Sequence, residues 1–220
     1  MNPKKLYTVI HVETESQALR NAKISFENGA DGIFLINHSI SSALLLEIYQ
    51  AVRTMYPDKW IGVNMLELSV KGAMKHLPPC ANGLWTDNAE IDESGDNSEP
   101  KGWFKQFKTT HPNALYFGGV AFKYQRQVSD LEAAVLAAAD CMDVICTSGA
   151  GTGIAADLGK IRRMGSGAKN VCLAIASGIT PENIDVYLPY ADCFLVATGI
   201  SRSFEWLDPE RVRLLADRIH

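Results

Sequence analysis

The stretch Cys172-Leu-Ala-Ile-Ala-Ser-Gly-Ile-Thr180 nearly recurs as Cys193-Phe-Leu-Val-Ala-Thr-Gly-Ile-Ser201. Each copy is a short apolar run, then Ser or Thr, then Gly, then an apolar residue, then a hydroxyl residue able to open a helix. Such a pattern predicts a buried strand whose carboxyl end opens into a tight turn. The Gly lets the backbone approach a ligand closely, and the free N–H groups of the turn and of the next helix face one point, which suits an anion. Two neighbouring copies predict a two-sided cradle for one phosphate, built from Ser177, Gly178, Thr198 and Gly199. Two ordinary buried strands with Gly turns are the alternative, and the shared register favours the cradle. A third Gly-rich turn, Thr147-Ser-Gly-Ala-Gly-Thr-Gly153, adds Gly149 and Gly151 as phosphate contacts, although it lacks the Lys-Ser/Thr ending of a P-loop.

Other polar residues close apolar runs in the same way. Glu13 and Asp87 are candidate general acid or base groups, and Lys123, between Phe122 and Tyr124, is the candidate catalytic cation. Lys123 suits a base or Schiff-base nucleophile, but also the neutralisation of a phosphate or a pair with Glu13 or Asp87, and these electrostatic roles rank first. Asn37, Asn64 and Thr147 are candidate substrate contacts, because a buried amide must be hydrogen-bonded either to loops or to a ligand. Glu13 could instead cap the following helix. His11 reads as a core histidine and His38 as a loop residue. The segment Asp87–Glu99 holds six acidic residues and no basic one. It reads as a solvated surface loop that could take a divalent cation through oxygen ligands, without the EF-hand spacing. No cofactor is predicted, and no metal site follows from the spacing of the five cysteines.

Something must carry these residues to one place. Strand patterns fall at Tyr7–Glu13, Ile33–Asn37, Trp60–Leu66, Gly83–Thr86, Ala114–Phe122, Val144–Thr147 and the two repeats, with helical patterns between them. Ser129-x-x-Glu132 predicts the cap of an alanine-rich helix, Thr180-Pro181 opens a helix between the repeats, and Arg202–Trp206 is placed as a short extra helix before a last one capped by Asp208. Gly118-Gly119 suggests a bulge. Alternating β and α units imply a parallel sheet, and eight units in 220 residues fit a single-domain (β/α)8 TIM barrel over residues 1–220 better than an open doubly wound sheet. In that fold the chemistry collects at the carboxyl ends of the strands, with phosphate after strands 7 and 8. The net charge of −4 argues against a nucleic-acid partner, and no run is long enough to insert in a membrane. The N-terminal stretch lacks a signal-peptide core, so a cytoplasmic protein with reduced, buried cysteines is expected; a homo-oligomer is compatible.

Several of these motifs resemble the BtpA family of phosphate-site TIM barrels, which are similar in style to tryptophan-pathway barrels. They are Ile10-His11, Gly29-Ala-Asp-Gly-Ile33 leading to Asn37, Ile61-Gly-Val-Asn-Met-Leu66, Phe122-Lys123-Tyr124, Thr147–Gly153, Ala176-Ser-Gly-Ile-Thr-Pro-Glu-Asn183 and Val196-Ala-Thr-Gly199. Glu13-Thr14 replaces the family's Pro-rich turn, and Glu67-Leu68-Ser69 replaces its Arg-Asn-Asp. The resemblance therefore implies a kept phosphate end and a divergent substrate end. The function expected is an enzyme on a small phosphorylated metabolite, by isomerisation, lyase chemistry or glycosidic cleavage. The alternative is a non-catalytic assembly or stability factor that retains the phosphate site, as the family's link to photosystem I biogenesis implies. A metal-dependent hydrolase built on the acidic loop ranks last.

Overall fold

The computed structural model describes residues 3–168 and 170–220; Met1 and Asn2 of the N-terminal stretch, and Lys169, lie outside the described residues. Eight strands hydrogen-bond in chain order into a closed parallel barrel: β1 Lys5–Val12, β2 Gly32–Asn37, β3 Trp60–Asn64, β4 Gly83–Thr86, β5 Leu115–Gly119, β6 Val144–Thr147, β7 Cys172–Ala176 and β8 Cys193–Val196. The ring closes where Lys5 runs beside Cys193 and Thr8 beside Val196, which excludes the open sheet. Helices α1 Glu15–Glu27, α2 Ser42–Met55, α3 Val70–His76, α4 Ser98–Thr110, α5 Leu131–Ala138, α6 Leu158–Gly167 and α7 Pro209–Ile219 bury one apolar core against the outside of the barrel. Thr14, Ser41, Ser69, Asp130, Asp157 and Asp208 each accept a first-turn N–H as helix caps. Asp130, not Ser129, thus caps α5.

Alternate strand residues point inward. Near the amino-terminal end they form an aromatic plug, with Tyr7 and Trp60 ring centroids 4.5 Å apart and Phe34 and Phe117 5.1 Å apart, edge to face. Gly62 and Gly83 make the room, since a Cβ at either would run into the Phe34 or Trp60 ring. The barrel is closed at this end, so a ligand site is left to the other one.

Four local expectations are corrected. β5 stops at Gly119 because the chain turns left-handed at Ala121 (φ 48). There is no bulge, as Gly118 stays in register with Thr86 of β4 and Ile145 of β6, and Gly119 with Cys146 of β6. After β7 the expected helix is a turn followed by a 3-10 segment, Ile184–Val186, because Asn183 Oδ1 accepts the Thr180 N–H (2.8 Å) and closes the loop. After β8 comes a 3-10 turn, Thr198–Ile200, then an antiparallel hairpin of β9 Ser201–Ser203 and β10 Trp206–Leu207 in place of the short helix. The hairpin is fastened by α1: the Asn21 Nδ2 amide (2.8 Å) and Gln17 Nε2 (3.1 Å) both donate to the Glu205 carbonyl.

Candidate active site

At the carboxyl ends of the strands a cavity of about 50 Å³ has an apolar floor of Val9, Ile36, Trp85 and Leu195. His11, His38, Asp87, Lys123, Ser177 and Thr198 form its polar wall. Asp87 follows β4 and accepts a hydrogen bond from Asn64 Nδ2 of β3 at 2.9 Å. Burial pushes its carboxyl above the ordinary value, against the Asn64 bond and the charges of Lys123 and His38. His11 of β1 is pushed down to about 4, first by burial and then by His38 and Lys123. The Phe204 ring of the hairpin stacks on it at 4.0 Å, and His38 meets it edge-on at 4.9 Å. His38 is also lowered, by burial and by Lys123, so both imidazoles are predominantly neutral at pH 7. Lys123 Nζ donates to Thr152 Oγ1 at 3.3 Å and pairs with neither Glu13 nor Asp87.

The expected site residues divide. Asp87, Asn64, Lys123, Ser177 and Thr198 come together at the mouth. Glu13 does not reach the cavity; its carboxylate accepts from Ser39 Oγ (2.7 Å) on the rim, and Thr14 caps α1 instead. Asn37 faces away from the barrel interior and ties loops: it accepts the Leu66 N–H (2.9 Å) and donates to the Ile40 carbonyl (3.0 Å). Thr147 donates to the Ala121 carbonyl (3.1 Å), also outside the interior. Both amide and hydroxyl sit at outward positions of their strands, so their bonds go to loops rather than to the mouth.

The glycines of these turns sit tight against neighbouring backbone. A Cβ at Gly178 (φ +67) would strike the backbone of Ile154 and Ala155, and one at Gly199 would strike the Ile179 carbonyl. Gly149 is likewise filled by the Ile154 and Ala155 carbonyls. These glycines let one loop lie on another on their Cα side. Ser177, held at φ 122, knits the β6 and β7 loops by donating to the Gly151 carbonyl (2.9 Å) and accepting the Gly153 N–H (3.1 Å). What stays open is Thr198, whose hydroxyl has no partner among the described residues, and the first N–H groups of its 3-10 turn, which have none within the turn.

Sequence reasoning missed several groups here. Trp85 lines the floor, its buried Nε1–H without a partner among the described residues. Phe204, a residue of the misassigned hairpin, covers His11. Lys160 of α6 donates to the Ser148 carbonyl (2.7 Å) and the Ala121 carbonyl, and burial pushes its ammonium down to about 8. Its only sequence signal is a lysine one turn after a Gly-rich loop. The acidic segment is not simply solvated: Glu93 accepts from Arg126 Nη2 (2.7 Å), Ser129 Oγ (2.7 Å) and Ser129 N–H (2.9 Å), so it clamps the loop after β5. Among the described residues no three His, Cys, Asp or Glu side chains are placed to share a metal ion.

Solved structures resemble the whole chain. Phosphoribosyl anthranilate isomerase from Thermus thermophilus superposes with a TM-score of 0.69 at 15% identity, covering 97% of each chain. (S)-3-O-geranylgeranylglyceryl phosphate synthase from Thermoplasma acidophilum, in complex with its substrate sn-glycerol-1-phosphate, gives 0.69 at 16% identity over 99% of this chain and 94% of that one. KGPDC from Streptococcus mutans gives 0.67 at 16% identity, covering 99% and 97%. At such identities the likeness is one of fold. No curated protein matches the sequence, and among the described residues no helix is long and apolar enough to cross a membrane. The sequence profile of the BtpA family matches residues 111–220, half of the chain, which includes the turns after β6, β7 and β8. The chain therefore belongs to the BtpA family.

Proposed function

We propose that the protein is an enzyme acting on a small phosphorylated metabolite, with the phosphate against the turns after β7 and β8 and the chemistry at Asp87 and Lys123. The observation that carries this reading is that Asp87, Lys123, Ser177 and Thr198 line one cavity. The phosphate would take the Thr198 hydroxyl and the first N–H groups of its 3-10 turn. Asp87, made a stronger base by burial and aimed by Asn64, would act as general base. Lys123 would stabilise negative charge developing on the substrate. Because Asp87 is the one carboxylate in the lining, proton abstraction in an isomerase or lyase fits better than two-carboxylate glycosidic cleavage. The sn-glycerol-1-phosphate carried by one structural neighbour fits a phosphorylated ligand at this end of the fold.

A thermal-shift screen against phosphorylated metabolites, with and without Mg²⁺ or Zn²⁺, tests the reading. At a hundredfold excess over Kd a ligand adds about 2.7 kcal/mol to stability. Thr198→Asp places a charge at the turn on an exposed position and should abolish the shift. A second reading, a non-catalytic factor, draws on the small mouth and on Phe204 seated over His11. The absence of any shift, in the native chain and in Phe204→Ala, would favour it.

A further inference from the structure

A second cleft, of about 760 Å³, opens between the loops after β5 and β6. Four cationic side chains line it: Lys123, Arg126, Lys160 and Arg163. The two arginines are already neutralised, Arg126 by Asp92 and Glu93 at 2.7 Å each and Arg163 by Glu132. The two lysines are not. Among the described residues Lys160 Nζ meets only the Ser148 and Ala121 carbonyls, and Lys123 Nζ only the Thr152 hydroxyl. Asp157, the carboxylate of the lining, receives the backbone N–H of Lys160 as a helix cap (2.8 Å) and leaves its ammonium unpaired. Asp157 acts on the ammonium only at a distance; taking a cation out of water without a direct ion pair is costly, and a neutral donor would tie the same two carbonyls at less cost. The burial that lowers Lys160 is a cost an arriving anion offsets. Lys123 also lines the mouth, so the two cavities share a wall.

We propose that this cleft is a second anion site, centred on Lys160, for a ligand with two anionic groups, one on each side of Lys123. This rests on the reading of the mouth as a phosphate site and narrows the substrate class to dianionic metabolites, with a phosphate at one end and a phosphate or carboxylate at the other.

Equilibrium dialysis with inorganic phosphate at low ionic strength separates the two sites. The native chain should bind two phosphates, Thr198→Asp one, Lys160→Met one, and the double variant none. Loss of the ammonium should weaken the cleft site roughly tenfold or more, as expected for a charge-assisted bond. Because Lys160 also fastens two loops, Gln127→Glu serves as a second variant: it adds a negative charge to the cleft from an exposed side chain and should weaken the same phosphate. A native chain whose single phosphate is lost in Thr198→Asp and kept in Lys160→Met and Gln127→Glu would overturn the cleft and leave the mouth reading standing. A single phosphate lost only in the cleft variants would overturn the mouth reading and keep the anion site at Lys160. No bound phosphate at all would overturn both.

Discussion

The two ends of the barrel treat a half-buried aspartate in opposite ways. At the amino-terminal end burial pushes Asp31 up, but Lys5 Nζ (2.8 Å), the Leu6 N–H (2.8 Å) and His220 Nε2 (2.9 Å) more than offset it and hold the carboxyl below its ordinary value. At the carboxyl-terminal end Asp87 has one bond from a neutral amide, burial prevails, and the carboxyl is raised. The backbone divides likewise. The non-glycine residues at positive φ among the described residues, Glu90, Ala121, Tyr124 and Ser177, all lie in loops that follow strands at the carboxyl end. One end is satisfied and closed by aromatics; the other keeps unpaired charge and strained backbone. Such unrelieved cost is what a ligand site retains.

The largest effect expected of this asymmetry is acid lability at the mouth. His11 stays neutral in the folded protein down to about 4, whereas an unfolded histidine takes its proton near 6.5. Below that value the unfolded state binds more protons, so stability falls as pH drops from 6.5 to 4, by about 3 kcal/mol in all. Above 6.5 the group contributes no pH dependence. Urea unfolding across this window should show the decline in the native chain and a flatter profile in His11→Gln. Parallel profiles would remove His11 from the comparison.

One substitution made at both ends gives the sharper contrast. Asp31→Asn should cost about 2 kcal/mol at pH 7, since it weakens bonds to a charged group. Asp87→Asn should instead raise the unfolding temperature at pH 7, because it removes an ionised carboxyl that burial disfavours. The pH signs differ too. The Asp31 contribution is present above 3.8 and lost as pH falls, while the Asp87 penalty vanishes as pH falls and grows as pH rises through its folded value. Equal losses of stability in both variants would mean that Asp87 is as well partnered as Asp31.

The eight apolar strand runs and most of the helices between them were legible in the sequence, because periodicity and caps are local properties. So was the gathering of Asp87, Lys123, Ser177 and Thr198, which needed only the rule that strands present their carboxyl ends together. The failures concern direction and partners. Asn37 and Thr147 end apolar runs as Asn64 does, but one step of strand register turns them outward. The glycines at 178 and 199 signalled close approach correctly; that the approaching group is another loop depends on contacts between β6 and β7 that no single stretch encodes. Lys160 was missed because its meaning lies in the carboxylate it lacks. The hairpin after β8 was read as a helix because Gln17 and Asn21, which hold its tip, are about 185 residues away in the chain.

The smallest effect tests whether the hairpin is what seals the mouth. Phe204 is itself half exposed, and its stack on His11 is an aromatic pair worth about 1 kcal/mol. Phe204→Ala should cost no more than that, because the Glu205 carbonyl keeps its bonds from Gln17 and Asn21 and the hairpin stays docked. Its consequence lies at His11. With the ring gone, water reaches the imidazole, and the burial that holds it near 4 is relieved. An NMR titration of the His11 ring should then move up toward 6.5 in the variant. The same opening should quicken the binding of any ligand found for the mouth, while leaving the Thr198 turn intact. If the His11 titration does not move, the barrel interior and not the hairpin buries it, and access to the site must run past Thr152 and Gly153 instead.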